Sequence, residues 1–180
     1  MKEGHLYDYK LVRKALKGDR YAFGEIVKKY ESQVAKTVIG LLGNTQEAED
    51  VGQEVFIRFY RSMKSYKGDS ALGTYLTRIA INLSLNEIKR QKNKKLSDIE
   101  KYSFGLASEN TAEKKDVTDM VTQALQQLEP DFRSVIILRM IEGYSTKETA
   151  EILDLPSGTV LSRLSRAQKK LKEILKTEMI

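Results

Sequence analysis

Hydroxyl and guanidinium side chains cluster near the C-terminus, in Ser157-Gly158-Thr159-Val160-Leu161-Ser162-Arg163-Leu164-Ser165-Arg166. On a helix with Val160 and Leu164 turned inward, Ser162, Arg163 and Arg166 project outward near its start. An arginine so placed can give guanine two hydrogen bonds in a DNA major groove, worth ~1–3 kcal/mol of discrimination. The Thr159 hydroxyl and the N–H groups at 157–159 suit a phosphate. Lys169, Lys170 and Lys172 carry the positive charge further along a backbone path. A different chemistry is offered by residues 45–54, which hold four carboxylates and no base. Carboxylates in a row can hold a divalent ion for a nuclease. Glu47, Asp50 and Glu54 nevertheless lie along one helix with no second acidic cluster and no histidine beside them, which argues against metal catalysis. A third cluster, residues 78–95, holds six basic residues and one Glu, as does the segment 157–176. Either patch alone is explained by a solvated helix face; two in separate blocks suggest one polyanion touched twice.

The composition narrows the choice. The chain has 180 residues, 31 Lys+Arg against 25 Asp+Glu, one His, no Cys and no Trp. Zero Cys removes disulfides, thiolate zinc sites, iron–sulfur clusters and cysteine nucleophiles together. A single histidine, His5, leaves no ordinary Ser-His-Asp triad and no His-rich metal site. Neither an enzyme nor a resident cofactor is expected. The longest aliphatic run, residues 135–138, is far short of the ~20 residues of a membrane span. Charges run throughout the first 30 residues, so no signal peptide is expected and the cytoplasm is the expected compartment. Resolved by segment, the net charge of +6 is +8 over residues 1–95, −2 over 96–118 and zero over 119–180.

These clusters need elements to position them, and the apolar spacing asks for helices only. Proline occurs only at 130 and 156. Leu11, Val12, Ala15 and Leu16 make a short first helix, closed by Gly18. Asp19 caps a second, with Phe23, Ile26, Val27, Tyr30, Val34 and Val38 on its core face. Thr45 caps a third, its acidic first turn favoured by the helix dipole; its buried stripe is Ala48, Val51, Val55, Phe59 and Met63. After the loop Lys67-Gly68-Asp69-Ser70, a fourth helix runs from about Thr74 to Lys92 on Leu76, Ile79, Ala80, Leu83 and Ile88. Periodicity is lost around 98–115 and resumes at Val117, Met120, Val121, Ala124, Leu125 and Leu128. Glu129-Pro130-Asp131 breaks the chain, and a helix on Phe132, Val135, Ile136 and Met140 ends at Gly143. The expected fold is therefore all-α: two small helical domains, 1–95 and 117–180, joined by a flexible linker at 96–116. A tether of about 20 residues extends up to ~70 Å.

The second domain carries a helix-turn-helix pattern. Ser145-Thr146-Lys147-Glu148 is a capping box opening a short helix. Asp154-Leu155-Pro156 turns the chain, and Ser157 starts a longer basic helix that packs through Val160, Leu164, Ala167, Leu171 and Ile174. Small Ala150 lets the two helices cross closely, and Leu155 plugs the angle between them.

Gly143-Tyr144-Ser145-x-x-Glu148-x-Ala150-x-x-Leu153-x-Leu155-Pro156-x-Gly158-Thr159-Val160-x-Ser162-Arg163-Leu164-x-Arg166-Ala167 resembles conserved region 4 of bacterial sigma factors of the extracytoplasmic-function (ECF) type. The front half agrees independently with region 2 of the same family. The matching blocks are Lys17-Gly18-Asp19-x-x-Ala22-Phe23, Glu49-Asp50-Val51-x-Gln53-Glu54-Val55-Phe56, Tyr66-x-Gly68-Asp69-Ser70 and Thr74-Tyr75-Leu76-x-Arg78-Ile79-Ala80-x-Asn82. They occur in order over nearly the whole chain.

The resemblance implies a dissociable initiation subunit that directs core RNA polymerase to promoters and promotes opening at the −10 element. By the same likeness Asp50, Gln53, Glu54 and Arg58 form the face that docks on core polymerase. Asn82 stands where the family holds a base flipped out of the −10 strand, and an amide offers such an edge both donor and acceptor. Asn86, Lys89 and Arg90 face the same strand by helical spacing, and Arg78 precedes Asn82 by four residues. Tyr75 replaces a frequent Trp, either as core packing or as a stacking face for an unpaired base. Ser157, Thr159, Ser162, Arg163, Arg166, Lys169 and Lys170 become the −35 readers. Leu161 stands where the family usually has a Lys or Arg, so one contact with DNA is missing. Family members are often held inactive by an anti-sigma factor, a third expected partner after core polymerase and promoter DNA. The alternative reading is a stand-alone helix-turn-helix regulator, which leaves the acidic helix, Asn82 and the linker without purpose.

Overall fold

The structure, a computed structural model, describes residues 3–101 and 117–178. Most of the expected linker, residues 102–116, lies outside the described residues. Helices account for every regular element among the described residues: α1 (Glu3–Ala15), α2 (Arg20–Leu42), α3 (Gln46–Ser62), α4 (Leu72–Lys101), α5 (Val117–Gln127), α6 (Pro130–Ile136), α7 (Thr146–Leu153) and α8 (Ser157–Glu178). A single 3₁₀ turn, Met63–Ser65, extends α3, and α6 continues as a π-helical turn, Ile137–Ile141.

Local chemistry sets the helix ends as the sequence indicates. The Asp19 carboxylate accepts from the Ala22 N–H at 3.1 Å, and the Thr45 hydroxyl from the Ala48 N–H at 3.2 Å. Each satisfies one of the orphan donors of a first turn. Gly43 ends α2 at φ +77°, a conformation that costs a side-chain-bearing residue more than glycine. α4 runs from Leu72 to Lys101, nine residues beyond the expected end at Lys92. No Gly or Pro interrupts 92–101, and Lys, Gln and Leu favour helix even where the apolar stripe stops.

The first unit packs α1–α4 around Ile26, Val34, Val38, Val55, Phe59, Leu72, Leu76 and Ala80. Buried Asp8 pins α1 to α2, accepting from Tyr30 Oη and Lys29 Nζ at 2.5 Å each. The second unit packs α5, α6 and α8 around Leu125, Leu128, Val135, Ile136 and Ala167. Met140, expected on the buried face of its helix, is exposed; the π-helical turn inserts into the 3.6-residue rhythm and carries it out. A further cluster joins the units: Leu41 and Ile81 of the first meet Ile137, Leu138 and Ile152 of the second.

Candidate nucleic-acid interface

Both turns of the helix-turn-helix form through short-range hydrogen bonds. Ser145 and Glu148 complete the capping box, with Glu148 N–H donating to Ser145 Oγ at 3.2 Å and Ser145 N–H to Glu148 Oε2 at 2.8 Å. α7 ends at Asp154, which adopts the left-handed conformation at φ 54° and ψ 51°. The Leu155 N–H then returns to the Ala150 carbonyl at 2.9 Å. Thr149, Ala150 and Ile152 are buried, and α7 packs against α8.

On α8, Val160 and Ala167 are fully buried and set the opposite face outward. Ser162, Arg166, Lys169 and Lys170 are exposed there, as is Ser157 at its start. Thr159 is half-buried and its N–H is occupied by the Pro156 carbonyl at 2.9 Å, so this donor is not free for a phosphate as the sequence suggested. Ser162 turns its hydroxyl back to the Thr159 carbonyl at 3.0 Å. Arg163 departs from the expected outward projection. Its guanidinium pairs with Asp131 at 2.9 Å, and its side chain is 28% exposed. Lys170 pairs with Glu129 at 3.1 Å and lies 4.8 Å from the centre of the Phe132 ring. The start of α6 therefore supplies two carboxylates to the basic face, a long-range pairing that no local spacing reveals.

On α4, Arg78, Asn82, Asn86, Lys89 and Arg90 are all exposed. Their spacing of three or four residues puts them on one side of the helix. Arg90 makes a two-pronged contact with Glu87, at 2.8 and 2.9 Å, and this holds the Glu87 carboxyl below its usual range. Tyr75 sits in an aromatic cluster, edge-on to Tyr66 at 5.2 Å and to Phe59 at 6.0 Å. Its ring buttresses the start of this helix. On α3, Asp50, Gln53 and Arg58 are exposed and Glu54 half-buried, with the Gln46 amide donating to Glu49 and Asp50 at 3.1 and 3.5 Å.

Beside that acidic face runs a groove that the sequence did not reveal. Val27, Val34, Ile39, Ala48 and Phe56 line about 380 Å³ between α2 and α3, with Glu31, Glu49 and Gln53 around it. Part of the signal was available in Phe56, an apolar residue outside the buried stripe of α3. Among the described residues no group of three or more acidic or histidine side chains is placed to hold a metal ion. No helix there is long and apolar enough to cross a membrane.

Comparison with known proteins settles the family. Residues 26–94 match the Sigma-70 region 2 model and residues 118–171 the Sigma-70 region 4 model. The chain is 35% identical to the RNA polymerase sigma-H factor of Pseudomonas aeruginosa, over 93% of each chain. It is 32% identical to the ECF RNA polymerase sigma factor SigW of Bacillus subtilis, over 93% of this chain and 96% of that one.

The chain is an ECF sigma factor.

Its likeness to the ECF sigma-E factor of Escherichia coli is similar, 35% over 91% of this chain and 92% of the other. Among solved structures, the sigma factor RpoE in complex with the anti-sigma factor NepR from Bartonella quintana superposes with a TM-score of 0.69. That match has 25% identity and covers 86% of this chain and 96% of the other. CnrH in complex with the cytosolic domain of CnrY shares the fold at the same TM-score, over 95% and 98% of the two chains. For this sigma factor, the region 2 match takes in the α3 face and the α4 row, and the region 4 match takes in the helix-turn-helix.

Proposed function

We propose that this sigma factor reads a promoter with two separate surfaces while gripping core RNA polymerase with a third. The α8 face reads duplex −35 DNA. Arg166 and Ser162 address base edges, Lys169 and Lys170 address phosphates, and Ser157 and Thr159 lie at the helix start where anions are favoured. Arg163 joins them by exchanging Asp131 for DNA. The α4 row captures the non-template strand of the −10 element, with Asn82 and Asn86 offering amides and Arg78, Lys89 and Arg90 offering charge. Tyr75 holds the start of that helix in place. Binding of unstacked bases, worth ~1–3 kcal/mol each, offsets the few kcal/mol that opening costs. The α3 face with Asp50, Gln53, Glu54 and Arg58 docks on core polymerase, which performs the chemistry; this chain makes and breaks no bond. An anti-sigma factor is a further partner, by likeness to the solved complexes. Such a protein works in the cytoplasm, where polymerase and promoter are.

The observation that carries the reading is the exposed α4 row, a polar and basic face on the helix that closes the first unit's core. Its test is Asn82→Ala. Open-complex yield at several promoters is expected to fall about tenfold, the equivalent of ~1.4 kcal/mol, with core binding unchanged. Arg166→Ala in the same assay should lower recruitment at promoters with an intact −35 element and do less where that element is mutated. Unchanged opening by Asn82→Ala on all promoters would refute the assignment of Asn82.

A further inference from the structure

One side chain on α8 has the wrong chemistry for a phosphate. Leu161 is 54% exposed, the only exposed large apolar side chain among the described residues of this helix. The core does not claim it. At ~100° per residue it stands ~100° round the helix from fully buried Val160 and ~120° from fully buried Ala167. Its neighbours one turn away on the outer side are Ser157, Gly158 and Ser165, all exposed and all short. Ser162 turns its hydroxyl back to the Thr159 carbonyl at 3.0 Å. Arg163 and Lys170 lie on the far flank, ~160° and ~180° away, where their charges pair with Asp131 and Glu129. Between 157 and 165, Leu161 is therefore the longest side chain of its flank and the first to reach a surface laid against it.

We propose that Leu161 is a specificity-determining residue of the −35 reader, and that it selects a thymine by its C5-methyl group. The inference rests on the α8 reading proposed above. The contact expected to be missing at this position is replaced by one of different chemistry. In the major groove, guanine shows N7 and O6, adenine N7 and an amino group, and cytosine an amino group. Thymine alone adds a methyl, the one feature an isobutyl side chain can read. Packing that methyl on Leu161 buries apolar surface on both partners, worth about fourfold in affinity for one methyl-sized group.

Exclusion adds to attraction. A polar base edge set against Leu161 loses water and gains no partner, since leucine has neither donor nor acceptor and Gly158 has no side chain. The position suits such a readout. Leu161 is the fifth residue of α8, within the N-terminal turns that a recognition helix lays against base edges. The short side chains around it let the backbone come close to the groove. An apolar contact also releases no counterion, so its contribution is independent of salt, unlike that of the lysines further along.

The test uses the full chain bound to core polymerase. Parent holoenzyme is made to select from promoter duplexes randomised across the −35 element. One position should return thymine, and Leu161→Ala should lose that preference while keeping the others. Alanine is the strongest helix former, so this exposed site tolerates it, and unchanged core binding is the control. In the selected duplex that thymine is then replaced by deoxyuridine, which removes the methyl and nothing else. Affinity of the parent holoenzyme should fall about fourfold and that of Leu161→Ala less than about twofold, so the two changes couple in a double-mutant cycle. Leu161→Met, which keeps the apolar reach, should retain most of the methyl effect. The slope of log affinity against log salt should be the same in the parent and in Leu161→Ala. Equal losses on deoxyuridine in parent and Leu161→Ala overturn the assignment, as does a changed salt slope. A parent holoenzyme that selects no −35 sequence at all would instead overturn the proposed function of α8.

Discussion

Glu142 is a half-buried carboxylate at the contact between the two units, where it accepts from the Thr37 hydroxyl. Burial raises its pKa above the usual carboxylate range, while the Thr37 hydroxyl and the nearby Lys36 charge pull it back. Lys29, Lys36 and Tyr144 line the same recess, and burial also raises the Tyr144 hydroxyl, which is neutral near pH 7. A carboxyl whose pKa is higher in the folded than in the unfolded chain favours the folded form fully below its ordinary pKa, and the contribution is lost as pH rises through the raised value. Lowering pH from 7 toward 5 should therefore raise this group's contribution to stability in reversible unfolding, and Glu142→Gln should flatten the response. An equal pH response in that variant would mean that another group carries it. Asn82 and Arg166 are legible at this scale because exposure follows from helical spacing alone. Arg163 is not: its partner Asp131 lies in a different helix, and local spacing says nothing about it.

Helices are legible where cap and stripe agree. Asp19, Thr45 and the Ser145–Glu148 box all start helices as their chemistry requires. Replacing Ser145 by Ala leaves an orphan donor at the start of α7 and should cost about 1 kcal/mol in reversible unfolding. A change under about 0.3 kcal/mol would mean that solvent satisfies that turn instead. The second faces of α2 and α4 were not legible. Thr37, Thr77 and Ser84 are buried although polar, and Ile81 falls outside the stripe that feeds the first unit's core. A single hydrophobic stripe describes a helix packed on one side, and these two helices are packed on two. The overrun of α4 past Lys92 has a simpler cause: propensity continues where amphipathic pattern ends.

At the scale of the whole molecule, the all-helical class, two units and the helix-turn-helix follow from local pattern, and the family follows from ordered motifs. Their docking does not. It depends on residues far apart in the chain, several of them polar, and polar residues read as surface until a partner is known. Charge sorts the proposed functions more clearly than its total: basic faces on α4 and α8 proposed for DNA, and an acidic face on α3 proposed for polymerase. The most direct test of that division is run-off transcription from a promoter template with and without core polymerase, alongside a shift assay on the naked duplex. Discrete, correctly started transcripts are expected only when core and this chain are combined, with little shift of duplex DNA by the chain alone. Tight, sequence-specific binding to naked duplex by the chain alone, with no core-dependent transcript, would contradict it and favour a free-standing regulator.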